Sequence, residues 1–310
     1  MKVTVVGPGA MGCLFAARLS ESGVQTTLLD HNKDRAKRLA KSGLAVESDS
    51  GILTAAPVVT TSVPNKQDLI IVLTKAHATA TLELPPATPI LTLQNGLGNV
   101  ESLCDLVGSA FVLAGTTSEA ATYLEEGRVR HAASGLTKVG AWTTCSTDGA
   151  VTALAGAGFD VEVTESPGQA IWEKVVVSAG INTISALLGV PNGQLIEHPE
   201  TRKLMRDLVV EAAKVAAIEG YRFEHSLIDL AEDICLQTAS NVSSMLQDIR
   251  AGRRTEIEAI SGEVMRRAEM AFLPTPRTRV IYQLIKGLEA ARAKSDDSSA
   301  GHDSGPALAS

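Results

Sequence analysis

The chain has 310 residues, 45% of them hydrophobic and only 3% aromatic, with a formal net charge of −7. This length supports two cores rather than one, and the acidic balance with few aromatics excludes a nucleic-acid surface or a base-stacking platform. Cys13, Cys104, Cys145 and Cys235 form no C-x-x-C and no zinc spacing, so no metal is expected and a reducing, cytoplasmic setting is.

Lys2-Val3-Thr4-Val5-Val6 is a β-branched apolar run that reads as a buried strand. It leads directly into Gly7-Pro8-Gly9-Ala10-Met11-Gly12, a G-x-G-x-x-G that opens a helix over residues 10–22. A second strand, Gln25–Leu29, ends on Asp30, about twenty residues beyond the glycines. Each part serves dinucleotide binding. Gly7 permits the tight turn, Gly9 leaves room for a pyrophosphate, and Gly12 lets helix and strand pack closely. The open N–H groups at the helix start attract phosphate, and Asp30 is placed to accept from ribose hydroxyls. Ala10-Met11-Gly12-Cys13 resembles a lipoprotein cleavage site, but the Gly-Pro-Gly turn interrupts the apolar run, so no signal peptide is expected.

A helix is expected over 33–42 and short strands over 44–61. Core strands at 68–73 and 88–93 deliver Lys75 and Asn95 to the same carboxyl rim as the glycine loop. Strand-like pieces at 111–117, 120–125, 128–132 and 137–141 suggest a mixed, partly antiparallel continuation, followed by a helix at 151–156 and a strand at 159–163. The pattern changes near Glu165-Ser166-Pro167-Gly168. Beyond it, helices are predicted over 169–188, 200–219, 226–240, 241–251, 257–271 and 276–294. The expected division is a Rossmann domain over 1–165, a helical domain over 166–294 and a disordered tail over 295–310. The longest uncharged run, 175–196, carries Asn182 and Pro191-Asn192-Gly193-Gln194 and is not expected to span a membrane.

Lys174, Ser178 and Asn182 recur at i, i+4 and i+8 on an otherwise apolar helix. Left unpaired in a dry site such groups cost several kcal/mol, so they belong either on the surface or in a functional cleft. A second polar cluster, residues 241–258, sets Asn241 and Ser244 on one helix face, with Glu256 at the start of the next helix after Gly252. Taken singly, Glu256 reads as a capping or dipole carboxylate, and Asp248 with Arg253 as an ordinary ion pair, ahead of any catalytic reading.

G-x-G-A-M-G at 7–12, T-K at 74–75, Q-N-G at 94–96, W-x-K at 172–174, P-N-G at 191–193, N-x-S-S-M-x-Q-D-x-x-x-G-R-x-T-E-I-E at 241–258 and Pro274-Thr275-Pro276 together resemble the ketopantoate reductase family. The resemblance implies an α/β fold, a Rossmann dinucleotide-binding domain followed by a mostly helical domain of the 6-phosphogluconate dehydrogenase type, with the active site between them. It implies NAD(P)H-dependent reduction of 2-dehydropantoate to (R)-pantoate, a step of pantothenate and coenzyme A biosynthesis. Lys174 resembles the general acid of that family and Glu256 the carboxylate that supports catalysis and binding, including that of the cofactor. Asn95, Ser178, Asn182, Asn241 and Ser244 resemble the groups that hold substrate, Asn95 also serving the cofactor, and Lys75 the contact to its adenosine end.

Two positions depart from the family pattern. Members that use NADP usually carry a basic residue where this chain has Asp30, so NAD(H) is expected to be preferred over NADP(H). Ser178 stands where the family has an asparagine. An NAD-dependent D-2-hydroxyacid dehydrogenase acting on another branched or aromatic 2-oxoacid is the alternative, and a non-catalytic NAD(P)-sensing protein a remoter one. The expected partner is a small 2-oxoacid, with no nucleic acid and no membrane; a homodimer is left open.

Overall fold

A computed structural model describes residues 1–299, with side chains through Arg292. The chain divides into two compact units, one of residues Met1–Ile171 and one from Trp172 onward.

In the first unit the strands are β1 (Lys2–Val6), β2 (Gln25–Leu29), β3 (Leu44–Ser48), β4 (Gly51–Ala55), β5 (Val58–Thr60), β6 (Leu69–Val72), β7 (Ile90–Thr92), β8 (Val112–Thr117), β9 (Ala120–Glu125), β10 (Arg128–Ala133), β11 (Thr137–Ala141) and β12 (Val161–Val163). Helices α1 (Ala10–Glu21), α2 (Lys33–Ser42), α3 (Asn99–Val107) and α4 (Asp148–Gly156) connect them. Eight strands form the main sheet in the order β12-β11-β8-β7-β6-β1-β2-β5. The run β5-β2-β1-β6-β7-β8 is parallel throughout, the doubly wound order of a dinucleotide-binding sheet. Its central strands β6 and β7, Leu-Ile-Ile-Val and Ile-Leu-Thr, are near-continuous apolar runs, as both faces of such a sheet are covered.

The expected mixed continuation is corrected in one respect. β11 pairs antiparallel with β8 and β12 parallel with β11, as a continuation would, but β9 and β10 leave to join β3 and β4 in a separate sheet, β4-β3-β10-β9. That sheet covers the outer side of α1. Leu14 and Phe15 pack in one core with Val3, Val5 and Leu28 of the main sheet and Leu44, Val46 and Val129 of the small one. A helix apolar on every side must be buried on every side. The segment Cys13-Leu14-Phe15-Ala16-Ala17 is fully buried for this reason.

The second unit is helical: the rest of α5 (Pro167–Leu188), then α6 (Gln194–Glu197), α7 (Pro199–Ile218), α8 (Leu227–Gln237), α9 (Ser244–Arg250), a π-helical turn at Glu258–Gly262, α10 (Glu263–Met270) and α11 (Pro276–Ser299). α5 is long and apolar enough to cross a membrane by length and composition alone, yet 67% of its most apolar window is buried. A Cβ at Gly180 would meet Val209 Cγ2 at 3.0 Å and Met205 Cγ at 3.1 Å, so α5 and α7 cross closely there. α11 continues through residues 295–299, read from sequence as the start of the tail, because no Gly or Pro interrupts the chain between Gly287 and Gly301. The remainder of that tail lies outside the described residues.

Candidate active site

The glycine loop meets each requirement of its motif. Gly7 adopts φ 103°, and its N–H donates to the Leu29 carbonyl at 3.0 Å. A Cβ there would lie 2.7 Å from Thr74 Cγ2, and one at Gly12 only 1.7 Å from the Gly7 carbonyl oxygen. At Gly9, by contrast, a Cβ would have nothing within 4 Å. Gly9 is the exposed N-cap of α1 and no side chain caps the helix. The first N–H groups of a helix have no intrahelical partner. Ala10 and Met11, partly exposed, therefore begin an open anion cradle, while buried Pro8 offers its carbonyl to the Cys13 thiol at 3.5 Å.

Asp30 ends β2 as expected, but it does not present a free carboxylate. It is 0% exposed, and Arg35 donates from Nε to Oδ2 at 2.5 Å and from Nη2 to Oδ1 at 2.7 Å. The Asn32 amide also donates to Oδ1, at 3.0 Å. The cause is local. Asn32 caps α2 by accepting from the Asp34 and Arg35 amides, which turns Arg35 back over the strand end. The carboxylate holds the guanidinium firmly charged, and Arg35 keeps 32% of its side chain exposed. At this corner the accessible group is therefore the cation.

Lys75 and Asn95 follow β6 and β7 on the carboxyl rim, both partly exposed. Sequence reasoning passed over the group that ties their loops together. Buried Gln94 donates to the Thr74 carbonyl at 2.9 Å and to Thr79 Oγ1 at 2.8 Å, and accepts from Thr92 Oγ1 at 3.0 Å. Thr79 then donates to Asn99 Oδ1, and Asn99 to the Asn95 carbonyl, each at 3.0 Å.

In the second unit Lys174, Ser178 and Asn182 are the partly exposed stripe of α5, while Val175, Val176, Val177, Ala179 and Ile181 between them are buried. Burial brings the Lys174 pKa down to about 8, and the negative charge of Glu256 opposes it. Glu256 is 7% exposed and precedes the π-helical turn rather than opening a helix, correcting that expectation. Such turns recur at functional sites. Glu289 of α11 holds the preceding residue: its Oε1 accepts from both the amide and the hydroxyl of Thr255 at 2.7 Å.

The expected helix over 241–251 begins only at Ser244, so Asn241 and Ser244 do not share a helix face. Ser243 takes the capping position because its side chain is held from α5. Its Oγ accepts from Ser185 Oγ at 2.5 Å and from the Leu246 amide at 3.2 Å. This leaves Asn241 in the preceding loop and Ser244 on the first turn, both exposed. Asp248 and Arg253 form an ion pair at 3.1 Å. The Pro191-Asn192-Gly193 turn, unassigned from sequence, carries the loop: the amides of Asn192 and Gly193 donate to the carbonyls of Asn241 and Ala239, each at 3.0 Å. Asn192 Oδ1 is buried with no hydrogen-bond partner, an acceptor left over in a polar site.

Comparison with known proteins bears on family and fold. Residues 3–144 match the family described as Ketopantoate reductase PanE/ApbA, and residues 168–289 its C-terminal counterpart. A 2-dehydropantoate 2-reductase of Halobacterium salinarum is 37% identical, covering 92% of this chain and 98% of the relative. One from Pyrococcus horikoshii is 32% identical, covering 93% and 98%. Among solved structures, a D-mandelate dehydrogenase with NADH and anilino(oxo)acetate superposes with a TM-score of 0.88 at 25% identity, covering 94% of this chain and 99% of that one. A ketopantoate reductase from Ralstonia eutropha JMP134 gives 0.86 at 26%, with the same coverage. With a glycine cradle in one unit, a lysine and carboxylate in the other, and matched residues spanning both, the chain belongs to the ketopantoate reductase family of oxidoreductases.

Proposed function

We propose that this chain reduces 2-dehydropantoate to (R)-pantoate with a reduced nicotinamide dinucleotide, a step of pantothenate and coenzyme A biosynthesis. The observation that carries the reading is Lys174, set in an apolar helix under the charge of Glu256 with a pKa of about 8. The open space over Gly9, the uncapped start of α1 and the rim residues Lys75 and Asn95 suit a dinucleotide, which when bound supplies hydride to the carbonyl carbon. The protein supplies the proton. Lys174 gives it to the carbonyl oxygen as negative charge develops there, and Glu256 keeps the ammonium form populated. Ser178, Asn182, Asn241 and Ser244 hold the substrate's oxygens. The reaction takes place in the cytoplasm, in keeping with four free cysteines, and involves no nucleic acid or membrane.

Steady-state assays with 2-dehydropantoate and a panel of branched and aromatic 2-oxoacids test this reading. The highest kcat/KM is expected for 2-dehydropantoate. A D-2-hydroxyacid dehydrogenase is the second reading, favoured by the likeness to the NADH-bound D-mandelate dehydrogenase, and it wins if an aromatic 2-oxoacid is the better substrate.

The pH dependence follows from the role of Lys174. An acid must carry its proton to give it, so reduction is supported below pH about 8 and declines as pH rises through that value. Oxidation of pantoate needs the neutral amine and rises through the same range. Glu256 raises the Lys174 pKa, so Glu256→Gln moves the descending limb of the kcat/KM profile to lower pH. A limb that stays in place shows that Glu256 exerts no field on the titrating group.

For the cofactor we propose a preference for NADH, kept modest by Arg35. Asp30 favours a 2′-hydroxyl and opposes a 2′-phosphate, but its pairing with Arg35 cancels much of that charge. Arg35→Ala removes the cation and uncovers the carboxylate. The NADH-to-NADPH ratio of kcat/KM is then expected to rise about tenfold, or about 1.4 kcal/mol. An unchanged ratio would mean that cofactor choice lies elsewhere, with Lys33 or Lys75.

A further inference from the structure

Buried Glu119 and largely buried His131 form an acid–imidazole pair that the proposed chemistry does not use. Their side chains are 1% and 10% exposed, and Glu119 Oε2 lies 2.5 Å from His131 Nε2. The other carboxylate oxygen, Oε1, accepts from the Gly135 amide at 3.2 Å, and the Glu119 amide donates to Thr117 Oγ1, also at 3.2 Å. Thr117 Oγ1 is 2.8 Å from Thr137 Oγ1, and the Ser118 amide donates to the Leu136 carbonyl at 2.9 Å. A Cβ at Gly135 would lie 2.6 Å from the Ser118 carbonyl oxygen. These contacts join the turn after β8 to β10 and to the strand that follows it. A buried pair of this kind is costly to desolvate, and an apolar pair of the same size would join the strands at less cost.

Its place in the sheet gives a reason for keeping it. Glu119 sits two residues past the carboxyl end of β8, where chain leaves the main sheet for the small one. In a sheet of this order two mononucleotide-binding halves meet at β1, with the first on the β1-β2-β5 side and the second on the β6-β7-β8 side. The glycine loop and Asp30 serve the first half. The carboxyl end of β8 belongs to the second, which takes the nicotinamide nucleotide, and ligands bind outside the carboxyl ends of the strands. Ser118 is exposed there, and Ala120 and Ala121 partly so.

We propose that Glu119, with His131 as its partner, is a positioning residue for the nicotinamide half of the cofactor. It acts by fixing the backbone of the 117–121 turn against which that half rests. This assignment depends on the nicotinamide reading given above.

The test compares binding of NADH with binding of ADP-ribose, which lacks the nicotinamide. Dissociation constants are measured by calorimetry on the wild-type chain, Glu119→Ala, Glu119→Gln and His131→Ala. Glu119→Gln keeps the side-chain volume and the Gly135 bond, so it yields folded protein even where the alanine variant does not. Loss of the charge-assisted bond is expected to weaken NADH about five- to tenfold while ADP-ribose stays within about twofold, on the scale of one hydrogen bond to a charged group. Equal weakening of both ligands reduces the pair to a support of the fold and overturns the proposal, as does weakening of neither. A wild-type chain that binds ADP-ribose no less tightly than NADH overturns the nicotinamide reading itself, before any variant is compared.

Discussion

Lys174→Ala is expected to lower kcat for 2-oxoacid reduction by roughly 10²–10⁴-fold, or about 3–5 kcal/mol of transition-state stabilisation. The lysine stands on the polar stripe of a helix whose neighbouring residues Val175, Val176 and Val177 are buried and carry no proton donor of their own. Cofactor affinity should change little, because the glycine loop belongs to the other unit. Glu256→Ala should affect both kcat and KM, since the proposed mechanism has the carboxylate act on substrate as well as on Lys174, whose pKa it raises. The double variant should lose less than the product of the single losses, as groups acting as a unit do. Stopped-flow measurement of the hydride-transfer step under single-turnover conditions reads these effects directly. Near-normal turnover in Lys174→Ala would show that the lysine is only a helix residue in contact with solvent.

The second large effect is expected at Gly12. An alanine methyl there would sit 1.7 Å from the Gly7 carbonyl oxygen and 2.9 Å from its carbon. Both are backbone atoms, so no side chain can yield; either α1 or the β1 turn must move. α1 cannot move freely, since Leu14 and Phe15 are packed between two sheets. Gly12→Ala should therefore cost about 3 kcal/mol or more of stability in the first unit and abolish measurable NADH binding. Gly9→Ala, where a Cβ meets nothing within 4 Å, is the control. It should leave the melting temperature unchanged and weaken only the nucleotide. A Gly12→Ala protein with wild-type melting and binding would remove the close-packing account of the motif.

Much of this was legible in the sequence because it is local. β1, β2, β9, β11 and α2 run over the residues that alternation, apolar runs and capping marked. The polar stripe Lys174, Ser178, Asn182 follows from helical spacing alone. The features that escaped depend on partners distant in the chain. β9 and β10 read as strands, but nothing in their own residues says that β10 will pair with β3 rather than with the main sheet. α3 went unmarked because it opens on Gly98 in a left-handed conformation, without the Ser, Thr or Asp that signals a helix start. Asp30 was read as a free carboxylate because its neutralising partner, Arg35, is a neighbour only after α2 has folded back. Ser243 and Ser244 are indistinguishable in the sequence, and a hydroxyl on another helix, Ser185, decides between them.

The bond from Glu289 to Thr255 also bears on the order in which the enzyme is made. On the ribosome the first unit is complete long before α11 is translated, and N-terminal domains fold first during synthesis. The nucleotide cradle can therefore exist on a nascent chain. The loop that carries Glu256 cannot be tied down until Glu289, 34 residues after Thr255, has left the exit tunnel. A partly synthesised chain thus presents the glycine loop before the carboxylate proposed to sustain the Lys174 ammonium is fixed. On the proposed roles, binding competence precedes catalytic competence: a chain stalled before α11 is expected to carry the nucleotide cradle with Glu256 not yet fixed.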